Sequence, residues 1–127
     1  MVTFTSSFSG FSVNDLSAAE AFYRDTLGLT VERNAMGILD ISLPGGAHVI
    51  AYPKDDHEPA TFTVLNFVVD DIDVAVDELN AAGVTTKIYD SDDLPTDERG
   101  IARGDEGPPI AWFRDPAGNV VSVLVEA

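Results

Sequence analysis

The sequence predicts an α+β fold made from two copies of one βαβββ module. Three observations carry this. Phe11-Ser12-Val13-Asn14-Asp15-Leu16-Ser17 matches Phe67-Val68-Val69-Asp70-Asp71-Ile72-Asp73 at an offset of 56 residues. Pro44-Gly45-Gly46-Ala47-His48-Val49-Ile50-Ala51-Tyr52 parallels Pro116-Ala117-Gly118-Asn119-Val120-Val121-Ser122-Val123-Leu124 at an offset of 72. Between these matches, each half passes from helical to strand-like hydrophobic spacing, as a repeated unit requires.

Each matched stretch opens as a strand and runs into a helix. Ser17 and Asp73 occupy equivalent positions and are suited to N-capping, because a side-chain oxygen can accept from the free N–H groups of the first turn. Ser17 with Glu20 also fits a capping box. Apolar residues then recur at helical spacing: Leu16, Ala19, Phe22 and Tyr23 in the first copy, Ile72, Ala75, Val76 and Leu79 in the second. Gly28 and Gly83 are placed to end the helices in a left-handed conformation. Strand-like segments follow at 30–33 and 37–43 in the first half, and at 85–89 and 110–114 in the second. A Pro/Gly turn feeds the last strand of each half. The offset grows because the second half holds about 16 extra residues within 90–109, rich in charge, Gly and Pro. That segment reads as a long surface loop, either a lid or a solvated excursion. The chain is thus expected to form a single domain over 1–127, with one module at about 1–56 and the other at about 60–127.

Composition narrows the function. Seven basic residues against 22 acidic ones give a net charge of −15, a field that repels nucleic acid and anionic membranes. No apolar run reaches the roughly 18 residues that span a bilayer, and the first ten residues lack the basic start and apolar core of a signal peptide. Without cysteine there is no disulfide, thiol nucleophile or thiolate metal site. A cytoplasmic location is the default expectation.

The run Val13-Asn14-Asp15-Leu16 through Phe22-Tyr23-Arg24-Asp25-Thr26-Leu27-Gly28-Leu29 resembles the opening of the glyoxalase/bleomycin resistance protein/dioxygenase family, the vicinal oxygen chelate superfamily. Trp112-Phe113-Arg114-Asp115-Pro116-Ala117-Gly118-Asn119 is similar to its closing signature. The resemblance covers nearly the whole chain and implies curved mixed sheets around a cup-shaped cavity. It does not fix function, since such folds host many chemistries.

Enzymes of that family hold a divalent metal at four strand positions, usually His, Gln or Glu. The resemblance maps these positions onto Phe8, Ile50, Val64 and Ser122. Three are hydrocarbons and one is a neutral hydroxyl, a poor set for a metal that wants oxygen or imidazole donors. A slip of one residue reaches Ser9, Leu65, Val121 or Val123, which add no carboxylate or imidazole. No metal and no cofactor are therefore expected, and no catalytic residue is assigned.

Period-two alternation puts His48, Ile50 and Tyr52 on one strand face, so His48 and Tyr52 are candidate ligand contacts or, alternatively, a surface histidine and a packing tyrosine. Asn66 sits between Val64 and Val68 and, if buried, must find a partner. Phe8, Ile50, Val64 and Trp112 are expected as an apolar floor and wall, with Ser122 as a polar contact. Arg103 is a candidate clamp for a ligand carboxylate, against the simpler reading that it and Arg99 pair with nearby acids. His57, among acidic residues in the linker, reads as solvated, and a nucleophilic serine is not expected for want of an adjacent base. The leading expectation is a small-molecule-binding protein of the family without its metal. The alternatives are a lyase, isomerase or dioxygenase with an atypical or absent metal site, and a non-catalytic interaction module.

The family resemblance also implies a homodimer, which would protect exposed strand edges. Sedimentation at micromolar concentration is expected to give twice the chain mass; a monomer alone would refute the pairing.

Overall fold

The computed structural model describes residues 1–104 and 107–126. The chain divides into two compact units after Pro59, and each is a βαβββ module with a four-stranded mixed sheet. The α+β fold class is as the sequence predicts.

The first unit contains β1 (Ser9–Val13), α1 (Leu16–Ala21), β2 (Thr30–Arg33), β3 (Leu39–Ser42) and β4 (His48–Pro53). The second contains β5 (Thr63–Val68), α2 (Ile72–Ala81), β6 (Ile101–Ala102), β7 (Ile110–Arg114) and β8 (Val120–Leu124). The strand orders are β1-β4-β3-β2 and β5-β8-β7-β6, with the first strand parallel to the last and the remaining pairs antiparallel. The registers reproduce the sequence repeat. Gly10 faces Ile50 and Asn66 faces Ser122, at offsets of 56 and 72. Leu39 faces Ala51 and Ala111 faces Val123, both at offset 72.

Each sheet buries one face. In the first unit, Phe11, Val13, Val31, Leu39, Ile41, Val49 and Ala51 are buried together with Ala19 and Tyr23 of the helical segment. Tyr23 packs its ring against Phe11 at 5.8 Å and edge-on against Phe22 at 5.2 Å. In the second unit, Leu65, Ala111, Phe113, Val121 and Val123 are buried with Ile72 and Val76 of α2.

The helix caps lie two residues earlier than expected. Asp15 and Asp71 are the extended N-cap residues. Asp15 accepts from Ala18 N at 3.0 Å, and Asp71 accepts from Asp73 N at 3.0 Å and Val74 N at 3.2 Å. The earlier start brings Ile72 inside α2, one turn from Val76, so both fall on its buried face. Ser17 and Glu20 form no capping box; both take Arg33, and Glu20 also takes Arg24. The first helix ends in a π-helical turn, Phe22–Thr26. Gly28 and Gly83 follow their helices at φ 74° and 88°, as expected.

One strand assignment is corrected. Residues 85–89 are not a strand. The second strand of the module is β6, inside the segment expected to be loop, where Ile101 and Ala102 pair with Ala111 and Ile110. Asp97 prepares it: its Oδ1 accepts from Arg99 N at 2.9 Å and Ile101 N at 3.0 Å. Thr86 is buried and donates its hydroxyl to the Arg99 carbonyl at 2.7 Å. A side-chain contact thus holds 85–89 against this turn in place of a ladder. Residues 105 and 106 of the expected loop lie outside the described residues.

Gly100 makes that contact possible. Its φ is +87°, and a Cβ there would lie 1.9 Å from the Thr86 carbonyl oxygen. Backbone strain and a backbone clash then add, so Gly100→Ala is expected to cost about 2 kcal/mol or more. Urea denaturation checks this; an unchanged midpoint would show that the turn is not built as described.

Candidate functional site

Alternation leaves the other face of each sheet to residues that the helix does not cover. In the first unit β4 presents His48, Ile50 and Tyr52 there, between buried Val49 and Ala51. His48 is exposed, with Nδ1 3.1 Å from Asp40 Oδ1 on β3. Ile50 leans over Gly10, its Cγ1 2.9 Å from where a Cβ on Gly10 would stand. Tyr52 lies beside Ser12 in the parallel register. The Ser12 hydroxyl is 2.7 Å from His57 Nδ1. His57 is half-buried, which corrects the reading of a solvated linker histidine. The turn after β4 returns the chain to β1, with Lys54 N donating to the Val13 carbonyl and His57 N to that of Lys54. No short-range pattern links residues 12 and 57, so sequence spacing could not pair them.

In the second unit Asn66, Ser122 and Trp112 form one row across β5, β8 and β7. Ser122 is fully buried and donates to Asn66 Oδ1 at 2.5 Å, while Asn66 is exposed. Trp112 is half-buried and meets Tyr89 edge-on, with ring centroids 5.3 Å apart. Residues 87–96 are braced internally: Lys87 Nζ donates to Thr96 Oγ1 at 2.6 Å, and Thr96 Oγ1 donates to the Tyr89 carbonyl. The sequence reading does not single out Tyr89, although it is the aromatic residue that leads into the extra segment.

The remaining candidates stand apart. Phe8 precedes the first paired residue of β1 and is 68% exposed. Val64 is half-buried at a register shift between Thr63 and Leu65, so it lies outside the regular ladder. Arg103 is committed to protein carboxylates, with Nη2 on Asp73 and Nε 3.7 Å from Asp97. Arg99 joins it, bonding Asp73 through Nη2 and Asp77 through Nη1 at 2.8 Å. The arginines therefore tie the 97–103 segment to α2, in line with the local ion-pair reading. An open groove of about 750 Å³ runs beside this segment, past Leu94, Pro95, Ile101 and Arg103.

The donor set does not fit a divalent metal. Phe8, Ile50 and Val64 carry no donor atom, and the Ser122 hydroxyl is spent on Asn66. Among the described residues no three His, Cys, Asp or Glu side chains converge as a metal site would require. No helix among them is long and apolar enough to cross a membrane.

Paired βαβββ modules, each leaving one sheet face uncovered by its helix, define the class. The chain belongs to the Glyoxalase/Bleomycin resistance protein/Dioxygenase superfamily, whose family model matches residues 7–123. Among solved structures it is similar to a member of that superfamily from Sphaerobacter thermophilus DSM 20745, with 25% identity and a TM-score of 0.74 over 97% of this chain and 98% of the other. It is also similar in fold to TnmS3, an antibiotic binding protein from Streptomyces sp. CB03234, with 22% identity and a TM-score of 0.68 over 99% and 100% of the two chains. The fosfomycin resistance protein FosX from Listeria monocytogenes shares the fold at 15% identity, with a TM-score of 0.71 over 100% and 96%. A comparison with curated protein sequences gives no match.

The Asp73 cluster has a pH signature. Asp73 is held below its ordinary value of 3.8, first by the Arg99 hydrogen bond, with loss of solvent opposing and Arg103 assisting. A carboxylate lowered in the folded state stabilises above its ordinary value and loses that contribution as pH falls through the folded one. The protection of Ile101 and Ala102 amides is therefore expected to decline as pH drops below 3.8, and sooner at high salt. Hydrogen exchange corrected for intrinsic rates checks this; Asp73→Asn should weaken the dependence and leave the part that comes from Asp97, whose carboxylate accepts from Ile101 N and is also held below its ordinary value, and an unchanged profile in that variant would refute the tie.

Proposed function

We propose that this chain is a small-molecule-binding protein of its superfamily that works without the metal of the family's enzymes. The carrying observation is the fate of Ser122, the one oxygen among the four metal-equivalent positions, whose proton goes to Asn66. Each face not covered by its helix mixes apolar and polar groups, Ile50 with His48 and Tyr52 on the first sheet and Trp112 with Asn66 on the second, and such a mixture holds a ligand without reacting with it. The likeness to an antibiotic binding protein and to a fosfomycin resistance protein is consistent with this reading. Phe8 and Val64 would serve only as apolar contacts within their own modules, and Arg103 would act only after leaving Asp73. The acidic charge and the absence of cysteine support a cytoplasmic location, and the family's habit supports a homodimer.

A second reading is a metal-independent lyase or isomerase. It rests on the Ser12–His57 hydrogen bond beside Tyr52, which places a base next to a hydroxyl on the first sheet.

Metal analysis and a thermal-shift screen of neutral and cationic compounds test the proposal. Metal is expected well below one ion per chain. A ligand present at about a hundredfold excess over its Kd should stabilise by roughly 2.7 kcal/mol, equally with and without chelator. Stoichiometric zinc, nickel, iron or manganese that is lost in Ser122→Ala, or stabilisation abolished by chelator, would overturn it.

A further inference from the structure

We infer that the second module carries a subsite for a neutral, planar aromatic ketone, formed by the Asn66 amide and the Trp112 ring. The inference rests on the small-molecule-binding reading and names the ligand class. It starts from which way the Asn66 amide points. The Ser122–Asn66 separation is 2.5 Å. That suits O–H···O, which spans about 2.5–3.0 Å, and is too short for N–H···O, which begins near about 2.7 Å. Ser122 is fully buried, so its hydroxyl proton must find an acceptor, and Asn66 Oδ1 is that acceptor. The amide is therefore fixed with its oxygen turned inward and its NH₂ group outward. Asn66 is exposed, and its side chain makes no other hydrogen bond among the described residues. A buried serine thus holds out two oriented donors.

Donors with fixed orientation select an acceptor. Trp112 supplies the second contact, because it lies in the same cross-strand row, two strands from Asn66. Two strand spacings are on the order of 9–10 Å, a gap that a fused ring stacked near the indole spans with its ketone oxygen toward β5. Tyr89 packs edge-on against Trp112 and restrains the indole, so little rotamer freedom is lost on binding. Charge decides the remaining choice. A carboxylate would also accept from the amide, but the chain carries a net charge of −15 and repels anions. A neutral carbonyl meets the donors without that penalty. The first module has no such device, because its equivalent pair is Gly10 and Ile50.

The experiment compares three probes: chromone, 2H-chromene, which lacks the ketone, and chromone-2-carboxylate. Nitrogen–proton NMR follows the indole N–H, a single resonance because Trp112 is the only tryptophan, and the side-chain amide of Asn66. Chromone is expected to shift both signals. It should bind about fivefold or more tightly than 2H-chromene, the worth of one oriented hydrogen bond, and more tightly than the carboxylate. Asn66→Asp, at an exposed position that keeps the Ser122 bond, should remove the preference for chromone while leaving 2H-chromene unchanged. Equal binding of chromone and 2H-chromene, or an undiminished preference in Asn66→Asp, would overturn the inference. So would saturation without movement of the indole signal. If chromone fails while another compound from the thermal-shift screen binds, this inference falls and the broader reading stands. If nothing binds in either experiment, both fall.

Discussion

Each sheet must bury one face against its own helix, and the rest of the structure follows from that requirement. Strand side chains alternate, so fixing Val49 and Ala51 in the core fixes His48, Ile50 and Tyr52 on the opposite face. The same logic fixes Asn66 and Trp112 once Leu65, Ala111 and Phe113 are buried. Neither open face was chosen residue by residue; each is what the core leaves over. Small changes on such a surface leave its geometry as the core has determined it.

The repeat shows how such changes accumulate. The β3–β4 and β7–β8 turns are the same five-residue loop: Leu43 N donates to the Ala47 carbonyl, and Asp115 N to that of Asn119, at 2.9 Å each. Only the second is braced by a carboxylate, since Asp115 Oδ1 accepts from Ala117 N at 3.0 Å and Asn119 N at 2.8 Å. Asn119 Oδ1 in turn accepts from Ala60 N at 3.2 Å, pinning the start of the second module. The closing signature that resembles the family's is thus a structural motif. The Gly10–Ile50 pair and its counterpart Asn66–Ser122 diverge in the opposite sense. One is hydrocarbon, the other a hydrogen-bonded amide and hydroxyl.

The inserted segment is better anchored than its composition suggested. Gly, Pro and charge usually mark a solvated loop. Here Asp97 folds back on its own backbone, Ile101 is buried in a short strand, and Arg99 and Arg103 share Asp73. Local composition cannot reveal such anchoring, because each contact joins residues far apart in the chain. Asp73 and Arg103, for instance, are 30 residues apart.

The sequence by itself determined the repeat, the fold class and the unsuitability of Phe8, Ile50 and Val64 as metal ligands, because residue identity, period and offset are local properties. It also placed His48, Ile50 and Tyr52 on one face. It could not distinguish Asp15 from Ser17 as a cap, or 85–89 from Ile101–Ala102 as the second strand of its module, since both choices satisfy the same propensities. Tertiary structure decided these by asking which option buries Ile72 with Val76 and which segment reaches the edge of β7. It alone paired Ser12 with His57 and turned Ser122 from a vacated ligand position into the residue that orients Asn66. Hydrogen bonds between distant strands depend on register, and register exists only once the sheets are assembled.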